Sequence, residues 1–143
     1  MPVGFDAVVY TDGAARGNPG PAAIGYAIYD SAGRLLEKAA RFLGRRTNSE
    51  AEYEALLWAI SRASKVTNGK VRFVSDSEFM VRQVRGVYRA NDERMRGYLS
   101  EVRESIRLFD SFEIVHAPRE DAKIVLVDGL VNAALNEKGF PKR

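Results

Sequence analysis

Two strand-like runs in this chain, Val8-Val9-Tyr10-Thr11-Asp12 and Arg72-Phe73-Val74-Ser75-Asp76, each finish on a bare carboxylate. The second run follows a helical pattern, and a strand reached through a helical crossover ordinarily lies parallel to an earlier strand of its sheet. If the two are neighbours, both acids stand side by side at the carboxyl edge of the sheet, where open α/β folds bind their ligands. Two anions held together there repel, so one must take up a proton or a cation must sit between them. A divalent cation is the simpler resolution. With no cysteine and one histidine, His116, in the chain, oxygen ligands remain, and these suit a hard ion such as Mg²⁺ or Mn²⁺.

The patterning around these runs predicts a fold. Ala7 to Thr11, Ala22 to Tyr29 and Leu35 to Phe42 read as strands, the last two joined by the turn cluster Asp30-Ser31-Ala32-Gly33, which makes a three-stranded meander. From Ser49, apolar residues recur at helical spacing through Tyr53, Leu56, Leu57, Ile60 and Ala63 until Asn68-Gly69 interrupts them. After the strand Val71 to Ser75 come a short helix over 78–84, a longer one over 92–108, a strand over 112–115 and a C-terminal helix over 130–135. The order βββαβααβα implies an α/β fold, a five-stranded mixed sheet flanked by helices. A length of 143 residues with 45% hydrophobic content suits one domain over 1–143 with a single core. Without a long apolar run or a basic-then-apolar N-terminus, the chain is expected to be soluble and cytoplasmic with no membrane association; a monomer is expected, although no pattern in the chain encodes its oligomeric state.

Further acids could reach the same sheet edge. Glu52 is one, although Ser49-Glu50-Ala51-Glu52 also fits a capping box, in which Ser49 caps the helix and Glu52 reaches back to its backbone. Asp128 is another, conspicuous inside the apolar run Ile124 to Val131, although Asp128-Gly129 also reads as a turn. Net charge is only +3, but Arg82, Arg85, Arg89, Arg94 and Arg96 crowd one stretch around Tyr88. That suits either a polyanion or a solvated helical face.

Taken together, "YTDGAARGNPGPAAIGYAIYD", "TNSEAEYEALLWAI", "VSDSEFMVRQVRGVY", "VHAPRE" and "DGLVNAAL" resemble ribonuclease H of type 1, in family order and across nearly the whole chain. The resemblance implies a ribonuclease H-like fold and an endonuclease for the RNA strand of RNA–DNA hybrids that leaves 5′-phosphate and 3′-hydroxyl ends. It places four metal-binding acids on Asp12, Glu52, Asp76 and Asp128, and so favours the ligand reading of Glu52 over the cap. Such a cluster holds two divalent ions roughly 4 Å apart. The family's substrate contacts fall on Gly13, Asn18, Thr47, Asn48, Ser49 and Ser77. Its Asn residues meet 2′-hydroxyls and base edges in the hybrid's minor groove, while Thr47, Arg82, Arg85 and Arg89 would meet phosphates. A histidine or arginine assisting turnover falls on His116 or Arg119.

The chain departs from the family pattern near its last acid. Asp128 stands twelve residues after His116, further than usual, and the preceding Ile124-Val125-Leu126-Val127 favours a strand over a helix by β-branching. Asp121 is the fallback ligand. Ser49 replaces the usual amide, and the basic protrusion of larger members is missing. These departures keep two other readings open: the same fold with double-stranded RNA or another phosphoester as substrate, or a hybrid-binding module with impaired chemistry.

Overall fold

A computed structural model describes residues 4–141; residues 1–3, which open the stretch read for a leader, and 142–143 lie outside it. The strands are β1 (Ala7–Ala15), β2 (Gly20–Asp30), β3 (Leu35–Arg46), β4 (Lys70–Ser75) and β5 (Ser111–His116). The helices are α1 (Asn48–Ala63), α2 (Glu78–Val84), α3 (Glu93–Ser105) and α4 (Ala122–Glu137), with a 3₁₀ turn at Ile106–Leu108. One sheet has the order β3-β2-β1-β4-β5. Its first three strands are antiparallel, and β1, β4 and β5 are mutually parallel. The expected βββαβααβα architecture is therefore present. No described helix is long and apolar enough to cross a membrane.

Alternation along the strands divides the core in two. Ala7, Val9, Tyr26, Ile28, Val71 and Phe73 meet Tyr53, Leu56 and Ile60 of α1. Residues of the opposite parity, Ala23, Ala27 and Tyr29, meet Val127, Val131 and Leu135 of α4. Helix α4 corrects the expectation of a strand before Asp128. Ile124, Val127, Val131 and Leu135 are all fully buried, and their spacing places them on one helical face. Burial of this stripe outweighs the modest β-preference of the branched side chains. Asp121, the fallback ligand, caps this helix instead: its Oδ1 accepts from the backbone N–H groups of Lys123 at 2.9 Å and Ile124 at 3.2 Å.

A second correction concerns the start of α1. Its cap is Thr47, not Ser49, and the box closes on Glu50: the Thr47 hydroxyl accepts from the Glu50 N–H at 3.1 Å, and the Thr47 N–H donates to the Glu50 carboxylate at 2.7 Å. Glu50 is buried and also receives Arg94 at 2.5 Å. The capping work falls to Glu50, and Glu52 is left to face the sheet edge.

Candidate active site

The ladder between β1 and β4 ends with Thr11 opposite Ser75, one residue before each aspartate. Strand β1 nevertheless continues beside β2 as far as Ala15, so the sheet splits at this point. Asp12 is thus an interior residue of β1 on its β2 side and open on its β4 side. Asp76 lies just beyond the end of β4, and Ser77 caps α2 next to it by accepting from the Met80 N–H at 3.4 Å.

Two close approaches bring the helices onto this split. A Cβ at Gly13 would lie 2.4 Å from the Ala51 carbonyl oxygen, so a glycine here lets α1 press its first turns against β1 and deliver Glu52. Gly13 is itself buried, and it borders the same cleft as the acids. On the other side, Gly25 pairs with Asp12, and a Cβ on it would lie 3.0 Å from Val131 and 3.4 Å from Val127. Its bareness seats α4 close to β2 and puts Asp128 within reach of Asp12. Gly25 carried no local sequence signal, because its importance lies entirely in what crosses over it.

Asp12, Glu52, Asp76 and Asp128 line one polar cleft of about 240 Å³, shared with Asn48 and Arg119. Asp12 is only 7% exposed, and its Oδ2 is the one buried side-chain oxygen without a hydrogen-bond partner among the described residues. Burial, then the charges of Asp76, Asp128 and Glu52, push its carboxyl up to about 9. Burial likewise raises Glu52 to about 7, against a hydrogen bond from Ser77, and raises Asp76 against the opposing charge of Arg119. The acids line the cleft without closing into a cage: no three described residues converge tightly enough to hold an ion as they stand. The orphaned Asp12 oxygen and four acids on one cleft are the donor set that a hard divalent cation requires.

The other expected residues sort by position. Arg119 lines the cleft, 87% exposed, with its Nε 3.9 Å from Asp76. His116 ends β5 opposite Ser75, exposed and outside the cleft lining. Asn48 joins the cleft to the β1–β2 loop: its Oδ1 accepts from the Ala15 N–H, and its own N–H donates to Asn18 Oδ1, both at 2.9 Å. With both amide oxygens occupied, the amide NH₂ groups of Asn18 and Asn48 remain as donors. Asn18, Thr47 and Ser49 share an adjoining groove with Phe79 and Gln83. Arg82 is engaged by Glu78 at 2.7 Å and Arg94 by Glu50, while Arg85 borders a separate groove along β5. The basic stretch is therefore less available to a polyanion than its composition suggests. Two residues that sequence reasoning missed, Arg16 and Asn132, also line the acidic cleft.

A mixed sheet of this order, split beside a cluster of acids, defines the ribonuclease H-like class of folds. A model of the reverse transcriptase-like family matches residues 10–134. Ribonuclease HI of Halobacterium salinarum is 36% identical over 128 residues, 90% of this chain and 63% of its own length. The crystal structure of RNase H1 from that archaeon superposes with a TM-score of 0.87 at 35% identity, covering 92% of this chain and 98% of the other. LC11-RNase H1 in complex with RNA/DNA hybrid gives 0.86 at 35% identity, with the same coverage. The chain belongs to the ribonuclease H type 1 family. It spans 63% of the halobacterial relative and 35% of a bifunctional protein from Mycobacterium tuberculosis that is 27% identical over 130 residues.

Proposed function

We propose that this protein is a Mg²⁺- or Mn²⁺-dependent endonuclease that hydrolyses the RNA strand of RNA–DNA hybrids, leaving 5′-phosphate and 3′-hydroxyl ends. The observation that carries this reading is the orphaned, almost fully buried carboxylate of Asp12, facing three further acids in the sheet split. The hybrid bound to LC11-RNase H1, a neighbour at 35% identity, supports the substrate class.

When bound, divalent ions supply Lewis-acid activation of the attacking water and of the leaving 3′ oxygen. Asp12, Glu52, Asp76 and Asp128 would provide the charge and oxygen donors that hold the ions. Arg119, solvent-exposed beside Asp76, can swing over a scissile phosphate and offset its charge. Asn18 and Asn48 present NH₂ donors, which match the acceptors of a minor groove: base O2 and N3 atoms and the 2′-hydroxyl oxygen. These donors choose RNA by its 2′ oxygen without choosing a sequence.

The test is cleavage of end-labelled hybrid, RNA duplex, DNA duplex and a small phosphate ester at equal enzyme concentration in Mg²⁺ and in Mn²⁺. Hybrid should be cut, with the activity lost in Asp12→Asn. Preferential cutting of another substrate would overturn the substrate assignment, and binding of hybrid without turnover in either metal would overturn the chemistry.

A further inference from the structure

Asp128 is the one acid of the four delivered by α4. It projects from a helix that bears no other group of its own able to hold the carboxylate, apart from one residue a turn later. That residue is Asn132, whose Nδ2 donates to Asp128 Oδ2 at 3.1 Å. An amide next to a carboxylate can present its NH₂ group, which attracts, or its oxygen, which repels, and one flip of the side chain exchanges them. Arg16 settles the choice. Its Nη2 donates to Asn132 Oδ1 at 3.0 Å, so the amide oxygen is engaged from behind and the NH₂ end must face Asp128.

Arg16 is in turn held from the far end of the chain. Its Nε donates to the carbonyl oxygen of Phe140 at 3.3 Å. That carbonyl is set by the way α4 ends: Gly139 adopts φ +89°, its N–H donates to Asn136 O at 3.0 Å, and the Phe140 N–H donates to Leu135 O at 2.9 Å. This pair of bonds is a Schellman turn. The Phe140 ring stacks on Phe42 of β3 at 5.8 Å and 5°, which fixes the turn against the sheet. Two of the three guanidinium nitrogens of Arg16 are committed within the protein, which favours a fixing role over a bidentate phosphate contact.

We propose that Arg16 and Asn132 are positioning residues that hold the Asp128 carboxylate in its metal-binding orientation, braced by the Schellman turn at Gly139 and Phe140. The proposal rests on the metal-site reading above. Partners that orient ligating carboxylates typically change metal affinity by about 10-fold or more when removed. Because the two residues act in series, their effects should not add.

The test is calorimetric titration of Mn²⁺ into the free, full-length chain, with no nucleic acid present, alongside the KM for hybrid at saturating Mn²⁺. Arg16→Ala and Asn132→Ala should each weaken Mn²⁺ binding by about 10-fold. The double variant should be no weaker than Asn132→Ala, and KM should stay within about twofold of the parent. Arg16→Lys should fail to restore affinity, because one ammonium cannot span both acceptors. Asn132→Ala replaces a half-buried helical residue with a better helix former, so the prediction stays readable if Arg16→Ala does not fold. Unchanged Mn²⁺ affinity in Asn132→Ala, additive losses, rescue by lysine, or a raised KM with metal affinity intact would each overturn the proposal. A parent protein that binds no Mn²⁺ would overturn the metal-site reading and this inference with it, an outcome distinct from the others.

Discussion

Replacing Asp12 by asparagine should make the metal-free protein more stable while destroying its activity. In the folded state burial and three neighbouring acids raise this carboxyl from 3.8 to about 9, so folding between those values requires it to take up a proton. The contribution is neutral below 3.8, grows more destabilising as pH rises, and levels off near 9. At pH 7 the gap above 3.8 is a little over three pH units, which at about 1.4 kcal/mol each sets a ceiling of ~4 kcal/mol. Asparagine keeps the shape, carries no charge to desolvate, and can donate its amide to Asp128. The net gain should be ~2–4 kcal/mol, or roughly 5–12 °C in Tm for a chain of this size. The assay is thermal unfolding by circular dichroism in EDTA from pH 4 to 9. The variant's advantage should be small at pH 4, widen toward pH 8, and shrink when Mg²⁺ is added, because the cation stabilises the parent by binding its folded state. A variant that melts at or below the parent in EDTA at pH 8, or an advantage independent of pH, would refute the reasoning.

Three further outcomes follow from the geometry. Asp121→Ala should lose the α4 cap and cost about 1 kcal/mol in urea unfolding while retaining cleavage, whereas Asp128→Asn should retain stability and lose cleavage; the reverse pattern would restore Asp121 as the ligand. Gly13→Ala forces a methyl group against the Ala51 carbonyl and should cost several kcal/mol, in the range of severe overpacking, with Glu52 displaced and activity lost in whatever folds. Affinity for hybrid should fall only about tenfold between 50 and 200 mM salt, the loss expected for roughly two phosphate contacts, because Arg82 and Arg94 are already engaged by glutamates. Salt titration by fluorescence anisotropy measures it directly.

The sheet was legible because its signals are local. Alternating strands, the turn at Asp30 and the two aspartates that follow the β1–β4 ladder each sit within a few residues, and the parallel pairing of β1 with β4 follows from the crossover rule. Helix α4 was obscured because three of the four residues from Ile124 to Val127 are β-branched; its helical period shows only when Ile124, Val127, Val131 and Leu135 are read together. The start of α1 was ambiguous for a different reason. Thr47-x-x-Glu50 and Ser49-x-x-Glu52 both satisfy the box, and burial of Glu50 against Arg94 decides between them. Asn132 could have been found from its spacing of four from Asp128. Arg16 could not, since its partners lie 116 and 124 residues away.

The offset between Glu50 and Glu52 also makes the protein useful as a tool. Two residues on a helix are about 200° apart, so the glutamate that secures the helix start and the one that faces the cleft point in nearly opposite directions. Glu52→Gln can therefore silence the cleft without loosening the helix start that places Asn48 at the cleft and Thr47 and Ser49 in the groove beside it. If the chain acts as proposed, a folded variant with its recognition surface intact and its cleft disabled would serve as a reagent for capturing and imaging RNA–DNA hybrids without cutting them.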